Sequence, residues 1–123
     1  MNHRIAILSD IHGDTTALEA VIADARALGA TEYWLLGDIL LPGPGREDLF
    51  ELLDAIPITA AVRGNWDDCV LEALDGEYGL EDPQEIQLLR LTQYLMEGLD
   101  PKRIDWLRSL PLVKKKEVNG IRF

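Results

Sequence analysis

Positive charge is what this chain has least of: 12 Lys and Arg stand against 22 Asp and Glu, for a formal net charge of -10. That balance repels a phosphate backbone or an anionic membrane, so extended nucleic-acid binding is excluded unless a metal or a local basic patch intervenes. Cysteine is nearly absent, and the single Cys69 cannot close an internal disulfide. Histidine is almost as scarce, with only His3 and His12. No apolar run approaches the roughly 20 residues that a membrane-spanning helix needs. Met1-Asn2-His3-Arg4 leads into a short strand without a secretory hydrophobic region, and a soluble, cytoplasmic protein is expected. The 123 residues are one domain's worth of chain, and 47% hydrophobic content suffices for a core.

Against this background three short polar strings stand out: Asp10-Ile11-His12-Gly13, Gly37-Asp38 and Arg63-Gly64-Asn65-Trp66-Asp67. Each directly follows an apolar, strand-like run, namely Ile5 to Leu8, Tyr33 to Leu36 and Ile58 to Val62. The segments between them read as helices. Ala17, Leu18, Val21, Ile22, Ala25 and Leu28 recur at helical spacing over Thr15 to Leu28, with Gly29 as a stop. Leu49, Phe50, Leu52 and Leu53 give Arg46 to Ala55 an amphipathic face, and Pro57 opens the third strand. The fold class is therefore α/β, with a β-α-β-α-β parallel layer whose right-handed crossovers deliver all three strand ends to one rim. Ile39 to Gly45, rich in Pro and Gly, is a loop overhanging that rim.

Beyond the third string the spacing predicts a short helix over Asp68 to Leu74, an acidic loop over Gly76 to Pro83 and a longer helix over Gln84 to Glu97. Asp100 and Pro101 form an N-cap and N1 pair for a helix reaching about Ser109. Leu112 to Val118 reads as a strand, Asn119-Gly120 as a type I′ hairpin turn and Ile121 to Phe123 as the start of the return strand. A return strand of usual length needs a few more residues. The chain is thus expected to be the N-terminal part of a single domain that continues past residue 123.

The residue types at the rim suit a metal. Asp10 and His12, two apart beyond a strand, can direct a carboxylate oxygen and an imidazole nitrogen at one point. Asp38 has two oxygens with which to bridge two cations. Asn65 offers a neutral carbonyl, and Gly64 before it permits unusual backbone. Taken singly, each also has a plain structural explanation as an N-cap or turn former. Their joint placement at strand ends that the topology must gather favours a site. His3, at the opposite end of the first strand, reads as a surface residue. Lys114-Lys115-Lys116 reads as a solvated, edge-protecting run before an anion patch. Cys69 reads as a packed helix residue, and Trp34 and Trp106 as core or interface aromatics.

Taken in order, Asp10-x-His12-Gly13, Gly37-Asp38 with the following Gly43-Pro44, and Arg63-Gly64-Asn65-x-Asp67 resemble the first three motifs of calcineurin-like metallophosphoesterases. The likeness is greatest to the bacterial branch related to diadenosine tetraphosphatases and serine/threonine phosphatases. The resemblance implies the N-terminal part of a four-layer α-β-β-α sandwich with a dinuclear site. In it Asp10 and His12 hold the first cation, Asp38 bridges and Asn65 binds the second. It further implies that Arg63 contacts phosphate and that Asp67 belongs to a leaving-group acid pair. The usual His of that pair is replaced by Trp66, and no histidine follows His12, whereas the family draws further imidazole ligands from later strands.

The expected activity is hydrolysis of phosphomonoester, phosphodiester or nucleotide phosphoanhydride bonds by metal-activated water. Two divalent ions serve as cofactors, drawn from Mn, Fe, Zn, Co or Ni. The expected partner is a small phosphorylated compound or nucleotide. The alternative is a non-catalytic phospholigand-binding or regulatory module with a degenerate metal site. For the 123-residue chain alone, weak activity and self-association through an unpaired edge are expected.

Overall fold

The computed structural model describes residues 3–123. Its element order is β1 (Ile5–Leu8), α1 (Thr15–Ala27), β2 (Glu32–Leu35), α2 (Glu47–Asp54), β3 (Ile58–Ala61), α3 (Asn65–Leu74), α4 (Pro83–Glu97), α5 (Pro101–Ser109), β4 (Glu117–Val118) and β5 (Ile121–Arg122). β1, β2 and β3 form one parallel sheet in that order, with Ile5 opposite Glu32 and Leu8 opposite Leu35. This is the parallel α/β layer that the apolar runs predict.

Local chemistry accounts for the helix ends. The Asp14 carboxylate accepts the Ala17 amide at 2.9 Å to cap α1, and Gly29, at φ +82°, supplies the left-handed residue that stops it. Asp82 before Pro83 and Asp100 before Pro101 cap α4 and α5 in the same way. α3 starts at Asn65, three residues before the expected Asp68, so that most of the third polar string lies in its first turn.

One face of the sheet is the core face. Tyr33 and Leu35 point into it and meet Leu18 and Ile22 of α1 and Leu49 and Leu53 of α2, all of them buried. Ile39, Leu40 and Leu41, the start of the expected loop, are fully buried in the same cluster. At about 1.5–3 kcal/mol for each buried aliphatic side chain, these three anchor the rim loop firmly in the core. The opposite face carries Trp34 with Ile7, its partner in the β1–β2 register, and Ile7 is 53% exposed. Trp34 is covered there by Phe123, whose ring meets it edge-on at 5.3 Å, and its indole N–H donates to Thr59 Oγ1.

The C-terminal strand is much shorter than expected. The turn forms as predicted, with Asn119 at φ +52° and Gly120 at φ +79°, and pairing extends to mutual bonds between Lys116 and Phe123. Leu112 to Lys115 form no strand, because the antiparallel ladder ends at the Lys116–Phe123 pair; the Pro111 carbonyl accepts the Arg63 amide instead. Leu112 and Val113 are left 60% and 78% exposed.

Candidate metal centre

Parallel pairing does not stop where β1 and β2 end. Asp10 N–H donates to Gly37 O, His12 N–H to Asp38 O at 2.8 Å and Gly13 N–H to Ile39 O at 2.9 Å, so the first two polar strings run side by side. The Ile39–Gly45 loop is then stitched back, with Gly43 N–H to His12 O and Gly45 N–H to Gly13 O. Glycine is required at that crossing: a Cβ on Gly43 would lie 2.7 Å from the Gly13 carbonyl carbon. This close approach also turns the backbone. Asp10, His12, Asp38 and Leu41 all take left-handed φ, at 58°, 51°, 54° and 53°. Each costs about 1–2 kcal/mol in a residue other than glycine, and such a concentration of strain is a property of functional rims.

The strained backbone aims three ligand atoms at one another. His12 Nε2 stands 3.2 Å from Asp10 Oδ1 and 3.9 Å from Asp38 Oδ2. One ligand atom from each of the three residues fits within 4.8 Å of the other two. His12 Nδ1 lies 2.9 Å from the Leu41 carbonyl. A carbonyl can only accept, so Nδ1 is the nitrogen that donates there, and Nε2 is the nitrogen turned to the rim, where its lone pair would serve a cation. Three acceptors then converge, an arrangement a divalent cation relieves. The Ser9 hydroxyl, 2.6 Å from Asp10 Oδ2, is the main influence holding the Asp10 carboxyl below the usual range, and desolvation opposes it. The donor set therefore fits a hard-to-borderline metal ion.

The third string joins from β3. Trp66 N–H donates to Asp38 Oδ1 at 3.0 Å, and the Trp66 ring meets the His12 ring edge-on at 5.6 Å. Asn65, at the first position of α3, is exposed beside them. Two other residues singled out from the sequence face elsewhere. The Arg63 guanidinium is tied to Asp68 and to the carbonyls of Arg108 and Leu110 at the end of α5. The Asp67 carboxylate is wholly buried, accepting the amides of Asp38, Ile39 and Gly64 at 2.9 to 3.0 Å. Burial pushes its carboxyl up, and the three N–H donors oppose the shift.

Two contributors to the rim were not named from the sequence: the Ser9 hydroxyl and the Leu41 carbonyl. Ser9 adjoins Asp10 and could have been read as its partner. A main-chain carbonyl leaves no trace in residue types, and only the path of the loop shows it.

Comparison with known proteins bears on this geometry. The model of the calcineurin-like phosphoesterase family matches residues 3–121. An uncharacterized protein of Methanocaldococcus jannaschii is 32% identical over 120 residues, which cover 94% of this chain and 45% of that protein. The crystal structure of a metallophosphoesterase from Sphaerobacter thermophilus superposes with a TM-score of 0.66 at 30% identity, over 96% of this chain and 44% of that one. The chain thus spans somewhat under half the length of these relatives. With the parallel layer, the ordered polar strings and the converging Asp10, His12 and Asp38 all in place, the chain belongs to the calcineurin-like phosphoesterase family.

Proposed function

We propose that this chain carries the first part of a metal-dependent phosphoester hydrolase site, in which Asp10, His12, Asp38 and Asn65 hold a pair of divalent cations. The observation that carries the proposal is the convergence of Asp10, His12 and Asp38 on a left-handed rim, with the His12 tautomer set by Leu41 O. Divalent cations bound there supply Lewis-acid polarisation of a phosphoryl oxygen and a water of lowered pKa. The protein's part is to place oxygen and nitrogen donors without reorganisation. Asp38 suits the bridging position because Trp66 N–H fixes its Oδ1 while Oδ2 faces His12. Asp67, marked for catalysis by resemblance, is assigned here to holding the rim, since both its oxygens are engaged by backbone amides, and Arg63, whose Nε and Nη1 bind Asp68 and the end of α5, to fixing that helix beside it.

The substrate class is a small phosphorylated compound, because a chain of net charge -10 repels an extended polyanion and bound cations would supply the local attraction for a small one. Mixed nitrogen and oxygen donors accept Mn, Fe, Zn, Co or Ni. The domain is proposed to continue in the manner of the longer relatives, and the remaining metal ligands to lie in that continuation.

A second reading, a phospholigand-binding module without turnover, is favoured by Trp66, which has no titratable group at the position where the resembled motif carries His. One pair of measurements on the full-length protein separates the two: calorimetric titration with Mn2+ and metal-dependent hydrolysis of an activated aryl phosphodiester, for the parent and for Asp38→Asn. Hydrolysis by the parent, together with Mn2+ affinity at least about tenfold weaker in the variant, supports the enzyme. Metal-dependent phosphate binding without turnover supports the module. A parent that takes up no Mn2+ defeats both.

A further inference from the structure

Asp67 is the one charged side chain that is fully buried among the described residues. Capping its own helix explains only part of its bonding. As the third residue of α3 it accepts the Gly64 amide with Oδ2 at 2.9 Å, an ordinary N-terminal arrangement. The remaining bonds leave the helix. Oδ2 also accepts the Asp38 amide at 2.9 Å, and Oδ1 accepts the Ile39 amide at 3.0 Å, both from the loop after β2. In the other direction the Asp38 carboxylate accepts the Trp66 amide of α3. The two rim loops are therefore tied twice, each lending a carboxylate to the other's backbone.

The space between the loops admits little else. A Cβ on Gly64 would lie 2.6 Å from the Asp38 amide nitrogen, and one on Gly37 would lie 2.7 Å from Gly64 Cα. Backbone meets backbone there, and Asp67 reaches across the junction from beneath. A buried carboxylate is an expensive way to join two loops, and it is retained where its partners must be held in one register. What it registers is the backbone of Asp38 and Ile39 against the first turn of α3, where Asn65 stands.

We propose that Asp67 is a positioning residue that sets the separation of Asp38 from Asn65 before any cation arrives, acting through the backbone and never touching metal or substrate. The inference deepens the metal-site reading and rests on it. Asp67→Asn is the direct perturbation: whichever way the amide turns, its NH2 faces at least one backbone N–H, so a donor meets a donor. Leu107→Ala, which opens the fully buried core position of α5, serves as the control for simple loss of stability.

The test is Mn2+ titration by calorimetry on the parent and both variants, below their melting temperatures, joined to amide hydrogen exchange on the metal-free parent. Asp67→Asn is expected to weaken Mn2+ binding by about 10–100-fold, while Leu107→Ala lowers the melting temperature and leaves Mn2+ affinity unchanged. The amides of Asp38, Ile39 and Gly64 should exchange as slowly as those of the sheet, although they lie in loops. Parental Mn2+ affinity in Asp67→Asn, or equal weakening in both variants, overturns the proposal. Rapid exchange at those three amides overturns it too, even if Asp67→Asn fails to fold. Slow exchange in a parent that binds no Mn2+ would leave the lock in place and remove the metal reading instead.

Discussion

Gly64→Ala isolates the steric fit between the two rim loops. Gly64 has φ -97° and ψ 176°, extended backbone that alanine adopts freely, so the substitution carries no conformational strain and its whole effect is contact. The added methyl would lie 2.6 Å from the Asp38 amide nitrogen and closer still to Asp38 Oδ1. Ordinary non-bonded separations are about 3.5 Å, so the loops must part by about 1 Å. Overpacking of that kind costs about 1–3 kcal/mol. At about 2.1 cal/mol/K of unfolding entropy per residue, the 123-residue chain loses roughly 4–12 °C in melting temperature. The same 1 Å falls on Asp38 itself, and Mn2+ affinity should drop by about tenfold or more. Gly76→Ala is the control, because nothing lies within 4 Å of its Cβ and the penalty there is only that of φ +77°. It should melt a few degrees lower and bind Mn2+ as the parent does. Thermal melts and calorimetric titration read both quantities. Gly64→Ala with parental melting and parental Mn2+ affinity would refute the close-packed rim.

Two further outcomes follow from charge placement. Arg63→Ala removes the guanidinium that ties the end of α5 to Asp68, and it should cost about 1.5–3 kcal/mol of stability, as for bonds to a charged group. Mn2+ affinity should be retained, and its loss instead would place Arg63 at the metal site. Arg103, whose guanidinium binds Glu47 and Asp54, holds both carboxyls below their ordinary values of 4.5 and 3.8 through those hydrogen bonds. Groups depressed in the folded state stabilise above their unfolded values and lose that contribution as pH falls through the folded ones. Acid melts below about pH 4.5 should therefore decline less steeply in Arg103→Met than in the parent. Asp67, pushed up by burial, acts in the opposite sense but equally in both proteins, and an unchanged profile in the variant would mean that Arg103 does not govern the acid limb.

Periodicity and punctuation alone determined the parallel layer. Apolar runs of strand length alternating with helical spacing leave few topologies, and Asp-Pro pairs and Gly29 mark helix ends through bonds only one to three residues long. The same locality made Asn119-Gly120 readable as a turn, since both residues need positive φ and nothing distant is involved. Asp10, His12 and Asp38 were legible as a group because strand ends on one rim must be neighbours. Only the tertiary structure decided which way the remaining polar side chains turned. Arg63 and Asp67 flank Gly64-Asn65-Trp66 in the chain, yet one reaches the end of α5 and the other the amides after β2. Those partners at the end of α5 and after β2 lie 28 to 47 residues away in sequence, unlike the nearby Asp68 and Gly64. The Leu112–Val118 run has full strand character and stays unpaired over most of its length, because a strand is made by a partner and not by propensity. The His12 tautomer likewise depends on a carbonyl 29 residues on, brought close by three buried side chains whose residue types say nothing of where their main chain will point.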